Sequence, residues 1–446
     1  MIMLKRIIQS FNSNEILKAS LLLSLITVLV KLAGYIEKVL LAYFWGTSDK
    51  ADCYNAVFAL IISIFVFFRE IVEPGFLNNF LKMRINTDEK EAWNVFFTVF
   101  WCILPAGIIV SFCLYLFPDA VTHITLPGFS NERFRLAATL LRIASPACVF
   151  LIISALTYIT LNAYKKFTIA ATGDLALKLV IVLFIIIFAR RVGIQAAIYG
   201  LVTGAIVKLI IHITALRKNI SWGNSGLKRT HLNNIWALTW PLMIGILFSQ
   251  INNLTDNIFA SYLKEGSISA LSYSKKLVEL PVILFPYALS VVVFPYFSEL
   301  HIEKNIVRLR HLLRETLKWI AIVFIPLSIC LFLFSETVTQ LVFQHGAFDS
   351  QSTALTAGSL AIYSIGLPAF AIETVLVIFY FSVADTKTPI FTGILCVIVN
   401  IVVTWVLVDH FAHLGIALGL VISKTLKVVI LLYLLKYKFK PEIIKS

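Results

Sequence analysis

The sequence predicts an all-α polytopic membrane protein of about twelve transmembrane helices, arranged in two six-helix lobes related by a pseudo-two-fold axis along the membrane normal. The 446 residues are 59% hydrophobic and only 14% charged, with a mean hydropathy of +0.90, whereas a soluble domain has about 25% charged residues. The hydrophobic residues form long runs. The net charge of +14 comes from basic residues in the short loops between them, which favours membrane topology over nucleic-acid binding.

Twelve apolar runs are each long enough to cross a membrane, at about 20 residues per crossing. The polar stretch RKNISWGNSGLKRTHLNN (217–234) separates the first six from the last six. We therefore predict an N-terminal lobe (1–216), a cytoplasmic linker (217–234) and a C-terminal lobe with a short basic tail (235–446). The predicted spans lie near 17–45, 52–81, 92–117, 134–163, 167–189, 193–216, 235–263, 268–299, 316–343, 354–383, 389–409 and 413–435.

Lysine and arginine are distributed unequally between the two sets of loops. One set, which includes 82–90, 217–229 and 304–314, contains most of these residues, and the other contains few. Basic loops stay in the cytoplasm, and the basic set includes both ends of the chain. The sequence thus predicts a multi-pass membrane protein with both termini cytoplasmic.

The two halves of the sequence resemble one another at an offset of about 220 residues. LLAYFWGTSDKADCYNAV (40–57) has a counterpart in IFASYLKEGSISALSYSKKL (258–277), and YITLNAYKKFTIAATGDL (158–175) has one in VIFYFSVADTKTPIFTGI (377–394). Because six spans is an even number, the two repeats share one orientation in the membrane. Substrate sites in such folds lie between the repeats.

Ionisable residues inside the spans are concentrated in spans 1, 2, 7 and 8. Lys31 lies near the middle of span 1, where a charge costs about 2.5–3.5 kcal/mol, and it has no acidic residue three or four positions away. Lys38, seven residues further on, shares nearly the same helix face. Since such a charge is tolerated beside water, we predict a water-filled cavity facing Lys31. The other charges of these four spans that lie away from the span ends are Glu37, Arg69, Glu70, Glu73, Asp256, Lys275, Lys276 and Glu279.

Spacing predicts ion pairs four residues apart between Arg69 and Glu73 and between Lys275 and Glu279. The first pair could also serve packing alone. Some lysines are close enough to a helix end for the ammonium to reach water there by snorkelling. For these residues a second interpretation stays open, in which they do not line the predicted cavity. These lysines are Lys38, Lys275 and Lys276.

A cavity with surplus basic groups suits an anionic substrate, because lysine acts as a point charge for phosphate and arginine binds it with two hydrogen bonds. A wet cavity between two half-bundles, open to one side at a time, describes alternating access. The acids that would balance the cavity charge include Glu73, Asp256 and Glu279. The candidate substrate-binding residues are Lys31, Lys38, Arg69, Lys275 and Lys276.

Motifs for catalysis or cofactor binding are absent from the sequence, which has no HExxH, P-loop or GxSxG. The six cysteines are scattered without a CxxC, so we interpret them as small core residues. We therefore expect no catalytic residue, no metal and no cofactor, and a protein that is not an enzyme.

Several stretches together resemble the MurJ/MviN family of lipid II flippases. The most specific are SQINNLTDNIFASYLKEGSISALSYSKKLVELP (249–281), followed by ALSVVVFPYFSEL (288–300), and YFSVADTKTPI (380–390). The others are VFQHGAFDSQSTALTAGSLAIYSIGLPAF (342–370), VKLAGYIEKVLLAYFWGTSDKADCYNAVF (30–58) and EPGFLNNFL (73–81). The resemblance covers most of the chain.

This resemblance implies two six-helix lobes around a central cationic cavity. It also implies a protein of the bacterial cytoplasmic (inner) membrane that moves undecaprenyl-diphosphate-linked peptidoglycan precursor across it. By position, the family's essential cavity arginines correspond to Lys31 and Lys276, and Arg69 stands where the family has an arginine pair. The family's acids in span 2 correspond to Asp52 and Glu73, which adds Asp52 to the charge-balancing acids.

The chain departs from the family pattern in three ways. Lysine replaces arginine at 31 and 276, so the charge is kept and the two-pronged guanidinium is lost. The family's second arginine of span 1 falls on Glu37 or Lys38. The sequence ends after span 12, whereas the family has two further helices that line a groove for the lipid tail.

We expect a flippase for a polyprenyl-diphosphate-linked saccharide, with lipid II favoured as the substrate. The alternatives are a flippase for another lipid-linked glycan of the O-antigen or capsule type, a small-molecule antiporter of the same superfamily, and a non-transporting scaffold for envelope synthesis. The expected partners are the lipid-linked anionic glycan, membrane lipids and cell-wall synthesis proteins, but not nucleic acid. We expect a monomer.

Overall fold

The computed structural model describes residues 13–221 and 229–438. The predicted linker therefore lies partly, and the predicted basic tail largely, outside the described residues. Within these ranges the secondary structure is helical, without strands. The helices are α1 (Ser13–Trp45), α2 (Asp49–Asn86), α3 (Glu89–Leu116), α4 (Pro118–Thr125), α5 (Asn131–Ala163), α6 (Phe167–Val192), α7 (Gln195–Leu216), α8 (Arg229–Ser261), α9 (Ser267–Val282), α10 (Ala288–Ile302), α11 (Ile306–Leu333), α12 (Ser335–Phe343), α13 (Ser350–Ser382), α14 (Lys387–Phe411) and α15 (His413–Lys438).

Each of the twelve predicted spans coincides with a long helical segment, so the prediction of an all-α polytopic membrane protein is confirmed. Among the described residues, nine helices are long and apolar enough to cross a membrane. The other three predicted spans coincide with α1, with α8 and with α9 plus α10; that these three cross the membrane stays a prediction. The sequence did not predict α4, which has eight residues and is too short to cross. Predicted span 9 (316–343) is divided in the structure, where α11 ends at Leu333 and the nine-residue α12 follows.

Span 8 is divided by a π-helical turn, Ile283–Tyr287, between α9 and α10. Pro281 lies in the last turn of α9 and Pro286 in the π-helical turn, and proline has no backbone N–H to donate to the preceding turn. Wider i→i+5 turns occur where the regular hydrogen-bond pattern is interrupted in this way. The Ser290 hydroxyl donates to the Pro286 carbonyl at 2.7 Å and provides a hydrogen bond at the end of the irregular turn.

The described residues form two compact units. Unit 1 contains the described residues of Met1–Leu40, Leu60–Pro118 and Ala138–Met243, and unit 2 contains those of Leu41–Ala59, Asp119–Ala137 and Ile244–Ser446. In unit 1, α6 and α7 pack along their lengths, and in unit 2 the same holds for α14 and α15. The predicted lobe boundaries at 216 and 235 stay a prediction.

Backbone conformation supports the internal repeat. Positive φ angles are rare for residues other than glycine, and six of the eight residues that have them in the described part of the chain form pairs at nearly the offset of the sequence repeat. The Lys165–Ala384 pair falls inside the matched stretches 158–175 and 377–394. The pairs are Gly46 and Gly266, Lys165 and Ala384, and Gly193 and Ala412, which are separated by 220, 219 and 219 residues. The common axis of the two predicted lobes stays a prediction.

Candidate functional site

Helix α1 in unit 1 presents Lys31 and Lys38 on one face. The two residues are seven positions apart, so they differ by only about 20° around the helix axis, and both are half-buried. The exposed apolar side chains of α1 form a stripe on a different face, about 100–180° around the axis from Lys31. This stripe comprises Leu22, Leu25, Leu29, Leu32, Ile36 and Tyr43, which are 39–56% exposed.

Glu37, on the same helix, is fully buried in unit 1. Its Oε2 accepts a hydrogen bond from the Lys178 ammonium of α6 at 2.6 Å. Of the two residues that stand where the family has its second span 1 arginine, Glu37 is therefore part of a buried ion pair between two helices. Lys38 shares the face of Lys31.

Arg69 and Glu73 form the ion pair that their spacing predicts, with 3.7 Å between Arg69 Nε and Glu73 Oε2. The Arg69 guanidinium also lies over the ring of Tyr158, 4.2 Å from its centroid. A flat guanidinium over an aromatic face is a cation–π arrangement. About a third of each charged side chain is exposed, 30% for Arg69 and 35% for Glu73, so this pair is open to water or to a ligand.

A second polar cluster in unit 1 joins α5, α6 and α7. Lys208 is fully buried, and its ammonium donates to Asp174 Oδ1 at 2.7 Å. His212, also fully buried, has Nδ1 3.0 Å from the Thr157 hydroxyl. Arg69 is within electrostatic reach of Asp174, so the cluster is continuous with the Arg69–Glu73 pair.

Asp52 in unit 2 is fully buried and accepts four hydrogen bonds. Its Oδ2 accepts from Arg133 Nη2 and from the Gly266 backbone N–H, both at 2.9 Å. Its Oδ1 accepts from the backbone N–H and the hydroxyl of Ser269, at 2.7 and 2.6 Å. Because α9 begins at Ser267, the carboxylate lies at a helix N-terminus, where negative charge is favoured. Asp52 thus ties the starts of α2, α5 and α9 together.

The lysines of α9 pair differently from their predicted arrangement. Lys275 Nζ lies 3.8 Å from Asp256 Oδ2 of α8, and Lys276 Nζ lies 3.6 Å from Glu279 Oε2 three residues along α9. The predicted Lys275–Glu279 pair is replaced because Lys275 turns toward the neighbouring helix. The other carboxylate oxygen of Asp256, Oδ1, is buried and has no hydrogen-bond partner among the described residues.

The candidate residues divide unequally by charge between the two units. Unit 1 contains three bases (Lys31, Lys38, Arg69) and one acid (Glu73). Unit 2 contains two bases (Lys275, Lys276) and three acids (Asp52, Asp256, Glu279). Among the candidates, the surplus of positive charge therefore belongs to unit 1.

Sequence reasoning missed several charged residues that the structure pairs between helices. In unit 2, Glu373 of α13 lies between two lysines of α15, with its Oε1 2.6 Å from Lys427 Nζ and its Oε2 2.8 Å from Lys424 Nζ. A lone charge within an apolar run signals each of these residues, but its partner is on another helix, where sequence spacing gives no pairing. The others are Arg133, Asp174, Lys178 and Lys208.

Comparison with known sequences adds independent evidence. The family model described as Lipid II flippase MurJ matches residues 41–445. The "Probable lipid II flippase MurJ" of Buchnera aphidicola subsp. Acyrthosiphon pisum is 27% identical over 423 residues, which cover 92% of this chain and 81% of the relative. The protein of the same name from Vibrio cholerae is 26% identical over 443 residues, with 94% and 82% covered. The "Lipid II flippase MurJ" of Burkholderia cenocepacia is 23% identical over 435 residues, with 94% and 83% covered.

Solved structures show the same relationship. The lipid II flippase MurJ in its inward closed conformation matches with a TM-score of 0.82 at 25% identity, and the match covers 93% of this chain and 87% of that one. An inward-facing MATE-family multidrug transporter of the MOP superfamily matches with a TM-score of 0.79, covering 92% and 94%. At 12% identity, this second likeness concerns the fold alone.

Proposed function

The chain belongs to the lipid II flippase MurJ family, and we propose that it moves lipid II across the inner membrane by holding the diphosphate on the bases of unit 1. A flippase translocates its substrate without changing its covalent bonds, so the protein is a transporter and not an enzyme. The alternatives raised by the sequence, another lipid-linked glycan, a small-molecule antiporter or a scaffold, are not favoured by these relatives.

The observation that carries the proposal is that three of the five candidate bases, Lys31, Lys38 and Arg69, belong to unit 1. Lys31 and Lys38 share one half-buried face of α1, and about a third of the Arg69 side chain is exposed. Holding these charges within an apolar run costs free energy, about 2.5–3.5 kcal/mol for a central lysine. A diphosphate bound beside them offsets that cost, because it supplies negative charge where water is scarce.

The pairs of unit 2 supply a second set of contacts. At 3.6 and 3.8 Å, the Lys276–Glu279 and Lys275–Asp256 pairs are looser than the 2.6–2.7 Å pairs of Glu37 and Asp174. In our proposal, Lys275 and Lys276 leave Asp256 and Glu279 to contact the anionic headgroup. They form the two ion pairs again when the headgroup leaves. This exchange keeps the lysines compensated in both states.

Asp52 has a different part in the proposed cycle. Its four hydrogen bonds join the starts of α2, α5 and α9. Alternating access requires contacts that are made in one state and released in another, and a carboxylate with four separable donors is suited to this. We propose that these bonds, which lie within unit 2, are made in one state of the transport cycle and released in another. The proposal also includes cytoplasmic termini, a monomeric protein and cell-wall synthesis proteins as partners.

Complementation of a strain depleted of its own lipid II flippase tests the proposal. We expect Lys31→Ala and Lys276→Ala each to fail, and Lys31→Arg to complement. Lys264→Ala, at an exposed loop position, is the matched control and is expected to complement. Protein level in the membrane and the amount of lipid II accessible at the outer leaflet are measured for each variant. Full complementation by both alanine variants at normal protein level would overturn the proposed site.

A further inference from the structure

The buried Glu37–Lys178 pair joins α1, which contains Lys31 and Lys38, to α6 in unit 1. Glu37 is fully buried, and the Lys178 side chain is 20% exposed, with 2.6 Å between Nζ and Oε2. A charged hydrogen bond of this length in a largely dry environment is strong and directional. Losing either partner leaves an uncompensated charge inside the unit.

The direction of Glu37 determines where the two lysines point. At about 100° per residue, Glu37 lies about 120° around the axis from Lys31 and about 100° from Lys38. The exposed apolar stripe of α1 occupies the remaining side. The helix therefore has three distinct faces: the carboxylate toward α6, the lysine pair, and the apolar stripe.

Apolar side chains alone specify the rotation of α1 weakly. Apolar residues occur on every side of this helix, and a helix that is hydrophobic all round can pack in more than one rotation. The attested use of a buried polar pair is to fix the register of such an element. A rotation of α1 that broke the Glu37–Lys178 bond would turn Lys31 either toward the packed interior or toward the surroundings that the apolar stripe now faces.

We propose that Glu37, held by Lys178, is a positioning residue that fixes the rotation of α1 and so keeps Lys31 and Lys38 on the face used for the anionic headgroup. This inference rests on the proposed function for the role of the two lysines. The rotation itself is testable without transport.

Thiol accessibility tests the rotation directly. The six native cysteines are replaced, Lys31→Cys is introduced, and its labelling by a membrane-impermeant thiosulfonate is followed in right-side-out and inverted vesicles. In this background we expect Glu37→Gln and Lys178→Met each to slow labelling at position 31 by about fivefold. The charge-reversed pair Glu37→Lys with Lys178→Glu is expected to restore it. Arg190→Gln, which removes an exposed cation from α6, is the matched control and should leave labelling unchanged.

Complementation is measured in parallel with Lys31 intact. We expect the single variants to fail and the charge-reversed pair to recover. Unchanged labelling at position 31 in a folded Glu37→Gln protein overturns the positioning role. If the single variants do not fold, a folded charge-reversed pair with slow labelling overturns it equally. Complementation by Lys31→Ala would instead contradict the proposed role of Lys31 in substrate binding. The labelling result would then still test whether Glu37 and Lys178 fix the rotation of α1.

Discussion

Lys208 and Lys427 are 219 positions apart in the sequence, and each is the cation of an ion pair inside its own unit. Lys208 Nζ lies 2.7 Å from Asp174 Oδ1, and Lys427 Nζ lies 2.6 Å from Glu373 Oε1. The same offset relates Lys165 to Ala384. The lysine therefore occupies equivalent positions of α7 and α15.

The acids of these two pairs are not equivalent. At the same offset, Asp174 of α6 corresponds to Gly393 of α14, and Glu373 of α13 corresponds to Ser154 of α5. Gly393 lies directly beside Lys427, since a Cβ added there would be 3.8 Å from the ammonium. The two repeats thus keep the cation in one place and neutralise it from different helices.

Removing Lys208 is expected to destabilise the protein by about 2–3 kcal/mol, because Asp174 is left without its partner in a partly dry site. Lys427→Met is expected to cost less, because Lys424 still contacts Glu373. Apparent melting temperatures of the purified proteins in detergent measure both effects. Lys218→Met, at an exposed position, is the control. Equal melting temperatures for Lys208→Met and Lys427→Met would contradict the expectation that Lys424 compensates for the loss of Lys427.

Asp52→Asn is expected to destabilise the protein by about 3 kcal/mol and to abolish complementation, because a neutral amide cannot satisfy four donors at once. Asp49→Asn is the matched control. Asp49 contacts the same arginine, with 2.7 Å between its Oδ1 and Arg133 Nε, but its side chain is 38% exposed. We expect it to cost less than about 1 kcal/mol. Similar melting and similar growth for the two variants would mean that the buried contacts of Asp52 contribute little.

Gly266→Ala is expected to destabilise the start of α9 in two ways, through the strain of a positive φ at alanine and through a steric clash of the added Cβ. Gly266 has φ of +86°, and an added Cβ would lie 2.6 Å from the Thr47 carbonyl oxygen. Gly193 also has a positive φ, +66°, but nothing lies within 4 Å of its Cβ position. Gly193→Ala therefore measures the cost of a positive φ without a steric contact, about 1–3 kcal/mol. Thermal melting should show Gly266→Ala clearly below Gly193→Ala, and the reverse order would refute the steric argument.

Features set by the local chain were predictable from the sequence. The length and hydropathy of the apolar runs determine which segments form long helices. The seven-residue spacing places Lys31 and Lys38 on one face, and the four-residue spacing brings Arg69 to Glu73. In each case the relevant distance is fixed within one helix, so no knowledge of tertiary packing is needed.

Features that depend on packing between helices were not predictable in this way. Glu37 and Lys178 are 141 residues apart, and nothing in their spacing indicates that α1 and α6 meet there. The same reason explains why Lys275 contacts Asp256 and not Glu279. The short helix α4 was missed because a search for runs of about 20 apolar residues passes over a segment of eight. The end of α11 at Leu333 was missed because the apolar run of predicted span 9 continues through it into α12.

The loop between α13 and α14 is tied to the last described residue, Lys438 of α15. The Lys438 ammonium contacts Asp385 and lies 2.5 Å from the Thr388 hydroxyl. Asp385 Oδ1 accepts from the Thr388 backbone N–H at 3.1 Å, at the start of α14. Burial by itself raises the pKa of Asp385, but the hydrogen bonds from Lys438 and Thr388 outweigh it and hold the pKa below its ordinary value of 3.8.

This lowered pKa gives a pH-dependent contribution to stability. Because the folded state has the lower pKa, the stabilisation is present above the ordinary value of 3.8 and is lost as the pH falls through the folded value. We expect Asp385→Asn to lower stability by about 1 kcal/mol at pH 7, and this difference to disappear as the pH falls below 3.8. Melting temperatures of wild type and variant across this range measure it. Asp409→Asn, at an exposed position near the end of α14, is the control, and its melting temperature should follow that of the wild type at every pH. A difference between Asp385→Asn and wild type that persisted at low pH would show that the stabilisation does not come from the ionised carboxylate.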